Sequence, residues 1–175
     1  MTRWTRMPPS HADSWRPWLT YPGSLTRRIV ARSRRFEVEV VARRLRVPND
    51  DEFRALGRPA SSLAYVREVV LRADGEPVVL AHSIVARADL AGVWRPVAGL
   101  GTRPLAAVLF ADRRVRRGPF EFAGIDQRHP LGVRAKQVFG RSFGRLRARR
   151  SLFHLEGRPL MVTEVKAVTS ILLLK

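Results

Sequence analysis

The chain has no cysteine among its 175 residues, which excludes disulfides, thiolate nucleophiles and cysteine-bound zinc together and fits a reducing compartment. Lysine is almost missing too. Of the 33 basic residues all but Lys136, Lys166 and Lys175 are arginine. No apolar run approaches the roughly eighteen residues that cross a bilayer, and the opening MTRWTRMPPSHADSW lacks the apolar core of a secretory leader. A cytoplasmic protein without stable membrane insertion is therefore expected. The four histidines, at 11, 82, 129 and 154, show no ligand spacing, so no metal site is expected. Acidic residues are scarce as well, 15 against 33 basic, for a net charge of +18. Guanidinium excess reads two ways: as oxyanion recognition, or as a GC-rich coding sequence writing arginine wherever a solvated cation will do. The basic runs RRVRR (113–117) and RLRARR (145–150) raise a nucleic-acid binder. No helix-turn-helix pattern accompanies them, and RRGPFEF lacks the glycine and valine steps of an RNA-recognition strand. No nucleic-acid partner is expected.

What is present is a mixed pattern. Apolar residues make up 45% of the chain, enough for one packed core at this length. Residues 1–12 are polar and proline-containing and are expected to be a flexible segment, followed by a single domain over 13–175. DSWRPWL (13–19) predicts a short amphipathic helix that lays Trp15, Trp18 and Leu19 on the core. Ser24 is a good N-cap for a helix through about Arg32, with Leu25 and Ile29 on one face. RFEVEVVARRLRV alternates and reads as a strand with Phe36, Val38 and Val40 on one side, whereas the acidic, turn-forming stretch 49–62 reads as a loop. Two long hairpins are predicted, one around a type I′ turn at Asp74-Gly75 and one around Glu156-Gly157. Thr102 is placed to cap a helix with Pro104 in its first turn, GPFEFAGI alternates as a short strand, and 130–144 predicts a helix ending in glycines. Hairpins with interspersed helices, and no strand–helix–strand alternation, predict an α+β domain on an antiparallel sheet.

Two residues interrupt the first hairpin, VREVVLRADGEPVVLAHS (66–83): Arg67 in one strand and His82 in the other. A regular ladder closed by a two-residue turn sets them opposite each other, on a face shared with Tyr65, Val69, Leu71, Val78, Leu80 and Ile84. An unpaired charge on a core face costs several kcal/mol, so Arg67 must either meet a carboxylate or await an anionic ligand. No acid shares its face of the hairpin, since Glu68 points the other way. His82 beside an arginine would stay neutral and donate one N–H, and the pair reads as a carboxylate receptor. In the second hairpin the same rule sets Arg149 opposite Glu164, where a cross-strand ion pair is one reading of both. GRSFG (140–144) matches the G-x-S-x-G pattern of a nucleophile elbow, but no aspartate follows Ser142 and His154 precedes Glu164, so a serine hydrolase is not expected.

At this point the chain resembles the chorismate pyruvate-lyase family. The resemblance rests on GSLTRR (23–28), VREVVLRADGEPVVLAHSIV (66–85), TRPLAAVLF (102–110), ARRSLF (148–153) and GRPLMVTEV (157–165), in the family's order. It implies a six-stranded antiparallel sheet with helices forming flaps over an enclosed ligand site. It implies a cofactor-independent lyase that eliminates pyruvate from chorismate to give 4-hydroxybenzoate for ubiquinone synthesis, with product inhibition. Chorismate, 4-hydroxybenzoate and pyruvate are the implied small-molecule partners, and a monomer is expected. By position, Arg67 would bind the ring carboxylate and Glu164 would lie near the ring hydroxyl, with Arg149 as possible support. The main chain at Leu25 and Leu105 would add polar contacts. His82 stands where many members carry an arginine, and would serve as a neutral donor to the ligand. A non-catalytic effector-sensing domain for small aromatic acids is the alternative, because related folds serve as ligand-binding modules.

Overall fold

Asp74 and Gly75 both adopt positive φ, at 52° and 89°, as do Glu156 and Gly157. Positive φ at both central positions is the signature of the two-residue type I′ turn, whose twist matches that of the strands it joins. These two hairpins frame the computed structural model, which describes residues 2–8, 10, 14–59, 61–140, 146–167 and 174. In chain order the elements are α1 (Arg16–Leu19), α2 (Leu25–Val30), β1 (Phe36–Arg46), α3 (Asp50–Leu56), β2 (Ala64–Ala73), β3 (Glu76–Ala86) and α4 (Arg87–Leu90). There follow α5 (Arg95–Ala98), α6 (Ala106–Leu109), β4 (Arg116–Arg117), β5 (Glu121–Ile125), α7 (Pro130–Phe139), β6 (Leu146–Leu155) and β7 (Arg158–Ala167).

The strands form one antiparallel sheet in the order β1-β2-β3-β7-β6-β4, with β5 also pairing β6. The two-residue β4 meets β6 at Phe153–His154 and β5 meets it over residues 146–150. They therefore share one outer lane, and the sheet has six lanes built from seven strands. Helices cover both faces. On one, Trp15, Trp18, Leu19, Leu25 and Ile29 of the α1–α2 region pack on Val69, Leu71 and Val79. On the same face, Trp94, Val97, Leu100 and Leu109 of the α5–α6 region pack on Val85, Phe153 and Leu160. The opposite face carries Leu131 and Ala135 of α7 on Val70, Leu80 and Val165, and Leu56 of α3 on Val66, Ile84 and Met161. Burial on both sides explains why β2 and β3 are nearly continuous in apolar residues. Among the described residues no helix is long and apolar enough to cross a membrane.

Three sequence expectations need correction. The stretch 49–62 is not all loop, because Asp50–Leu56 is helical. Glu52 reaches back to the Asn49 N–H at 2.8 Å, and Gly57 ends the helix in the left-handed region at φ 62°; an Asn-x-x-Glu box followed by glycine is a helix signal. Thr102 does not cap the next helix, which begins only at Ala106, because the backbone before it turns its Gly101 and Arg103 carbonyls toward Arg67. Within residues 1–12, Trp4 Nε1 donates to Asp51 at 2.8 Å and Thr5 bridges Phe122. The 130–144 helix ends at Phe139, and Ser142 of the GRSFG motif lies outside the described residues.

Candidate active site

The α1–α2 region and α6 leave a gap between them over the middle of the sheet, and the gap is a pocket. Its floor is one face of four strands: Arg67, Val69 and Leu71 of β2, Ala81 and Ser83 of β3, Val162 and Glu164 of β7, and Arg149, Ser151 and Phe153 of β6. The registers align these side chains across the strands, Arg67 with Ser83, Ser83 with Val162, and Arg149 with Glu164. Leu25 closes one side and Leu105 the other. The pocket therefore brings together Arg67, Glu164, Leu25, Leu105 and Arg149.

Arg67 is 2% exposed, and its guanidinium has no carboxylate partner among the described residues. Nη2 donates to the Gly101 carbonyl at 3.0 Å and the Arg103 carbonyl at 2.9 Å, while the buried Nε–H has no partner among the described residues. Burial pulls this guanidinium down from the ordinary arginine range; Tyr65 opposes it, and the charge of Arg43 adds a smaller pull downward. A buried cation held by two carbonyls, with a donor left over, can accept an anion. The loop that supplies the carbonyls leads directly into the wall at Leu105, so one side chain ties that wall to the sheet.

Glu164 is the pocket's one acidic lining residue among those described. Its partner is Arg149 Nε, as the cross-strand spacing predicts. Arg149 is then consumed: Nη1 donates to the Leu19 carbonyl at 3.1 Å and the Tyr21 carbonyl at 2.6 Å. Lys166, two residues on and so on the same face of β7, places Nζ 3.6 Å from the Glu164 carboxylate. Burial pushes the Glu164 carboxyl up, but Arg149 and Lys166 outweigh it and hold the group below the usual carboxylate range. Glu164 is thus an ionised acceptor at neutral pH. Arg67 on β2 and Glu164 on β7 are two lanes apart, roughly 10 Å at the usual strand spacing. Side chains converging from that separation can grip a single six-membered ring at opposite ends.

His82 is not brought to this site. The ladder slips by one residue between Leu71 and Arg72, so Arg67 faces Ser83, and His82 faces Glu68. Pro77 lies at the slip and has no N–H to continue the ladder, a physical reason for a bulge there. One step of register moves Leu80 and Ile84 off the Arg67 face as well, whereas Val78, at the bulge, stays packed with Val69 and Leu71. Fully buried on the opposite face, His82 sets Nε2 2.9 Å from Glu52 and Nδ1 3.1 Å from Glu68. Burial works against its charge, yet the two carboxylates raise its pKa above the ordinary value. His82 is therefore a charged link in the core and not a neutral donor to a ligand. Glu52, which the sequence pattern places in a loop, is the partner that pattern conceals; the Asn49-x-x-Glu52 box is the signal that reveals it.

Comparison with known proteins bears on the whole chain. The chorismate lyase family model matches residues 4–173. A probable chorismate pyruvate-lyase of Aromatoleum aromaticum is 49% identical over 166 residues, spanning 93% of this chain and 90% of that protein. One from Thiobacillus denitrificans is 46% identical over 150 residues, spanning 86% and 80%. Among solved structures, the C-terminal domain of the histidine utilization repressor of Pseudomonas syringae superposes with a TM-score of 0.59 at 9% identity, covering 78% of this chain and 94% of that one. The effector domain of PhnF from Mycobacterium smegmatis superposes with a TM-score of 0.56 at 15% identity, covering 83% and 88%. At such identities the structural likeness shows a shared fold alone.

Proposed function

The chain belongs to the chorismate lyase family, and from that premise we propose how its pocket eliminates pyruvate from chorismate to leave 4-hydroxybenzoate. In this reaction the ether bond at one ring carbon breaks, its electron pair going to the ether oxygen. The neighbouring carbon, which bears the hydroxyl, loses its hydrogen as a proton, and the electrons of that C–H bond complete the aromatic ring. The departing enolpyruvate takes up a proton at its methylene carbon and becomes pyruvate. Electrons and protons balance within the substrate. Aromatisation supplies driving force, so the site's task is to hold a dianion in one orientation and to receive a proton.

Arg67 receives the ring carboxylate. The observation that carries this reading is its deep burial in the pocket with no described acid to neutralise it. A charge-assisted carboxylate contact in such a place is worth about 2–3 kcal/mol. The hydroxyl, at the far end of the ring, then falls toward Glu164, which being ionised can accept its hydrogen bond and serve the proton leaving the same carbon. Main-chain groups at Leu25 and Leu105 complete the enclosure, and Arg149 fixes the Glu164 carboxylate. A monomeric, cytoplasmic enzyme is part of this proposal, the lack of cysteine fitting a reducing compartment.

Incubation with chorismate, with pyruvate read through a coupled dehydrogenase, tests the reading. The wild-type protein is expected to release pyruvate and 4-hydroxybenzoate in equal amounts. Glu164→Gln keeps the shape and removes the ionised acceptor, and is expected to lower kcat by about 100-fold or more. Unchanged kcat in that variant would remove Glu164 from the mechanism.

A further inference from the structure

Chorismate carries two carboxylates, one on the ring and one on the enolpyruvyl arm, and Arg67 accounts for one. Four guanidiniums line the pocket: Arg67, Arg117, Arg149 and Arg150. Arg149 is paired with Glu164, and Arg150 with Glu121 at 2.7 Å and Asp51 at 3.0 Å. Arg117, on β4, has no carboxylate partner among the described residues; its only hydrogen bond among them is from Nη2 to the Pro22 carbonyl. Its guanidinium carbon lies 4.5 Å from the centre of the Phe120 ring, as does that of Arg149 on β6. The two cations are therefore within about twice that distance of each other. The pocket thus holds two guanidiniums without acids, at opposite ends of the sheet face, for a ligand with two negative charges.

The order of lanes across the sheet decides which carboxylate goes where. Arg67 is on β2, Glu164 on β7, Arg149 on β6 and Arg117 on β4, and the lanes run in that sequence. With the ring carboxylate on Arg67 and the hydroxyl toward Glu164, the ether is on the ring carbon next to the hydroxyl. Its arm then projects past Glu164 toward β4. We propose that Arg117 is the receptor for the enolpyruvyl carboxylate, and so the residue that distinguishes the substrate from its aromatic product. The assignment rests on the activity proposed above. Burial and the neighbouring charge of Arg149 both disfavour the Arg117 cation, only partly offset by Glu164. A carboxylate there relieves both penalties, and its departure with pyruvate restores them. Phe120 lies against both guanidiniums, a cation–π contact that holds Arg117 beside the Arg149–Glu164 pair.

The test compares a ligand that has the second carboxylate with one that lacks it. Arg117→Gln is expected to reduce kcat/KM for chorismate by roughly 30- to 100-fold, the range for a lost charge-assisted contact. Its Kd for 4-hydroxybenzoate, measured by calorimetry, is expected to stay within about two-fold of wild type; Arg117→Lys should recover part of the lost kcat/KM. Wild-type kcat/KM in Arg117→Gln would overturn the assignment. So would an equal fall in affinity for 4-hydroxybenzoate, which would mean that Arg117 serves the pocket wall through Pro22 and not the substrate. Failure of the wild-type protein to form pyruvate from chorismate is a separate result and would overturn the activity itself, and with it the role of Arg117.

Discussion

Lys166 is 2% exposed, and among the described residues its ammonium has no hydrogen-bond partner, the Glu164 carboxylate lying at 3.6 Å. Burial and then Arg149 push its pKa down to about 7, against the opposing pull of Glu164. Free lysine titrates near 10.4, so between roughly pH 7 and pH 10 the unfolded chain binds a proton that the folded chain has released. Stability contributed by this residue therefore rises with pH across that window, by an amount of order several kcal/mol. Lys166→Met removes the titration. In urea denaturation the variant should gain on wild type at pH 6 and lose most of that advantage at pH 9. An equal difference at both pH values would show that Lys166 keeps an ordinary pKa. Arg67 differs in kind. Its cost is not relieved by losing a proton, because a guanidinium stays charged, and among the described residues no acid offsets it. That much was legible in the sequence, since no acid shares the Arg67 face of its hairpin. The position of His82 was not, because a single bulge beside Pro77 reverses its face.

Those two faces of β2 and β3 have separate tasks. One holds the pocket; the other is tied by a chain of charges through Arg46 of β1, Glu52 of α3, His82 of β3, Glu68 of β2 and Arg134 of α7. Arg46 meets Glu52 at 2.8 Å and Arg134 meets Glu68 at 3.2 Å, so each buried carboxylate has two cationic partners. The imidazolium pKa is raised, so its contribution to stability is fully present below the unfolded value and is lost as pH rises through the folded one. Glu52→Gln breaks one of these links and weakens the box at the start of α3, and should cost about 3 kcal/mol in denaturant unfolding. Because the link is on the far face, kcat/KM of the folded variant is expected to stay within about two-fold of wild type. A large loss of activity at full folding would show that the faces are coupled. Both hairpins, and the type I′ turn at Asp74-Gly75, were readable from Asp-Gly and Glu-Gly between apolar runs. The helix α3 was hidden by its acidic composition, which resembles a loop until Asn49, Glu52 and Gly57 are read together.

At the scale of the molecule, helices on both faces leave an opening between the α1–α2 region and α6, and the residues there come from several separate stretches of chain. No single motif in the sequence displays that convergence. The ordered set of motifs matched it because the sheet's registers fix where each one falls. The net charge of +18 surrounds the site with a field that attracts a dianion, while in the proposed function binding itself rests on the buried Arg67. Calorimetric titration of 4-hydroxybenzoate into wild-type protein and Arg67→Gln measures that dependence directly. Wild type is expected to bind with a Kd tighter than about 100 μM, at least ~5.5 kcal/mol, and the variant to bind roughly 30-fold or more weakly. Undiminished affinity in a folded Arg67→Gln protein would mean that the ligand's carboxylate lies elsewhere.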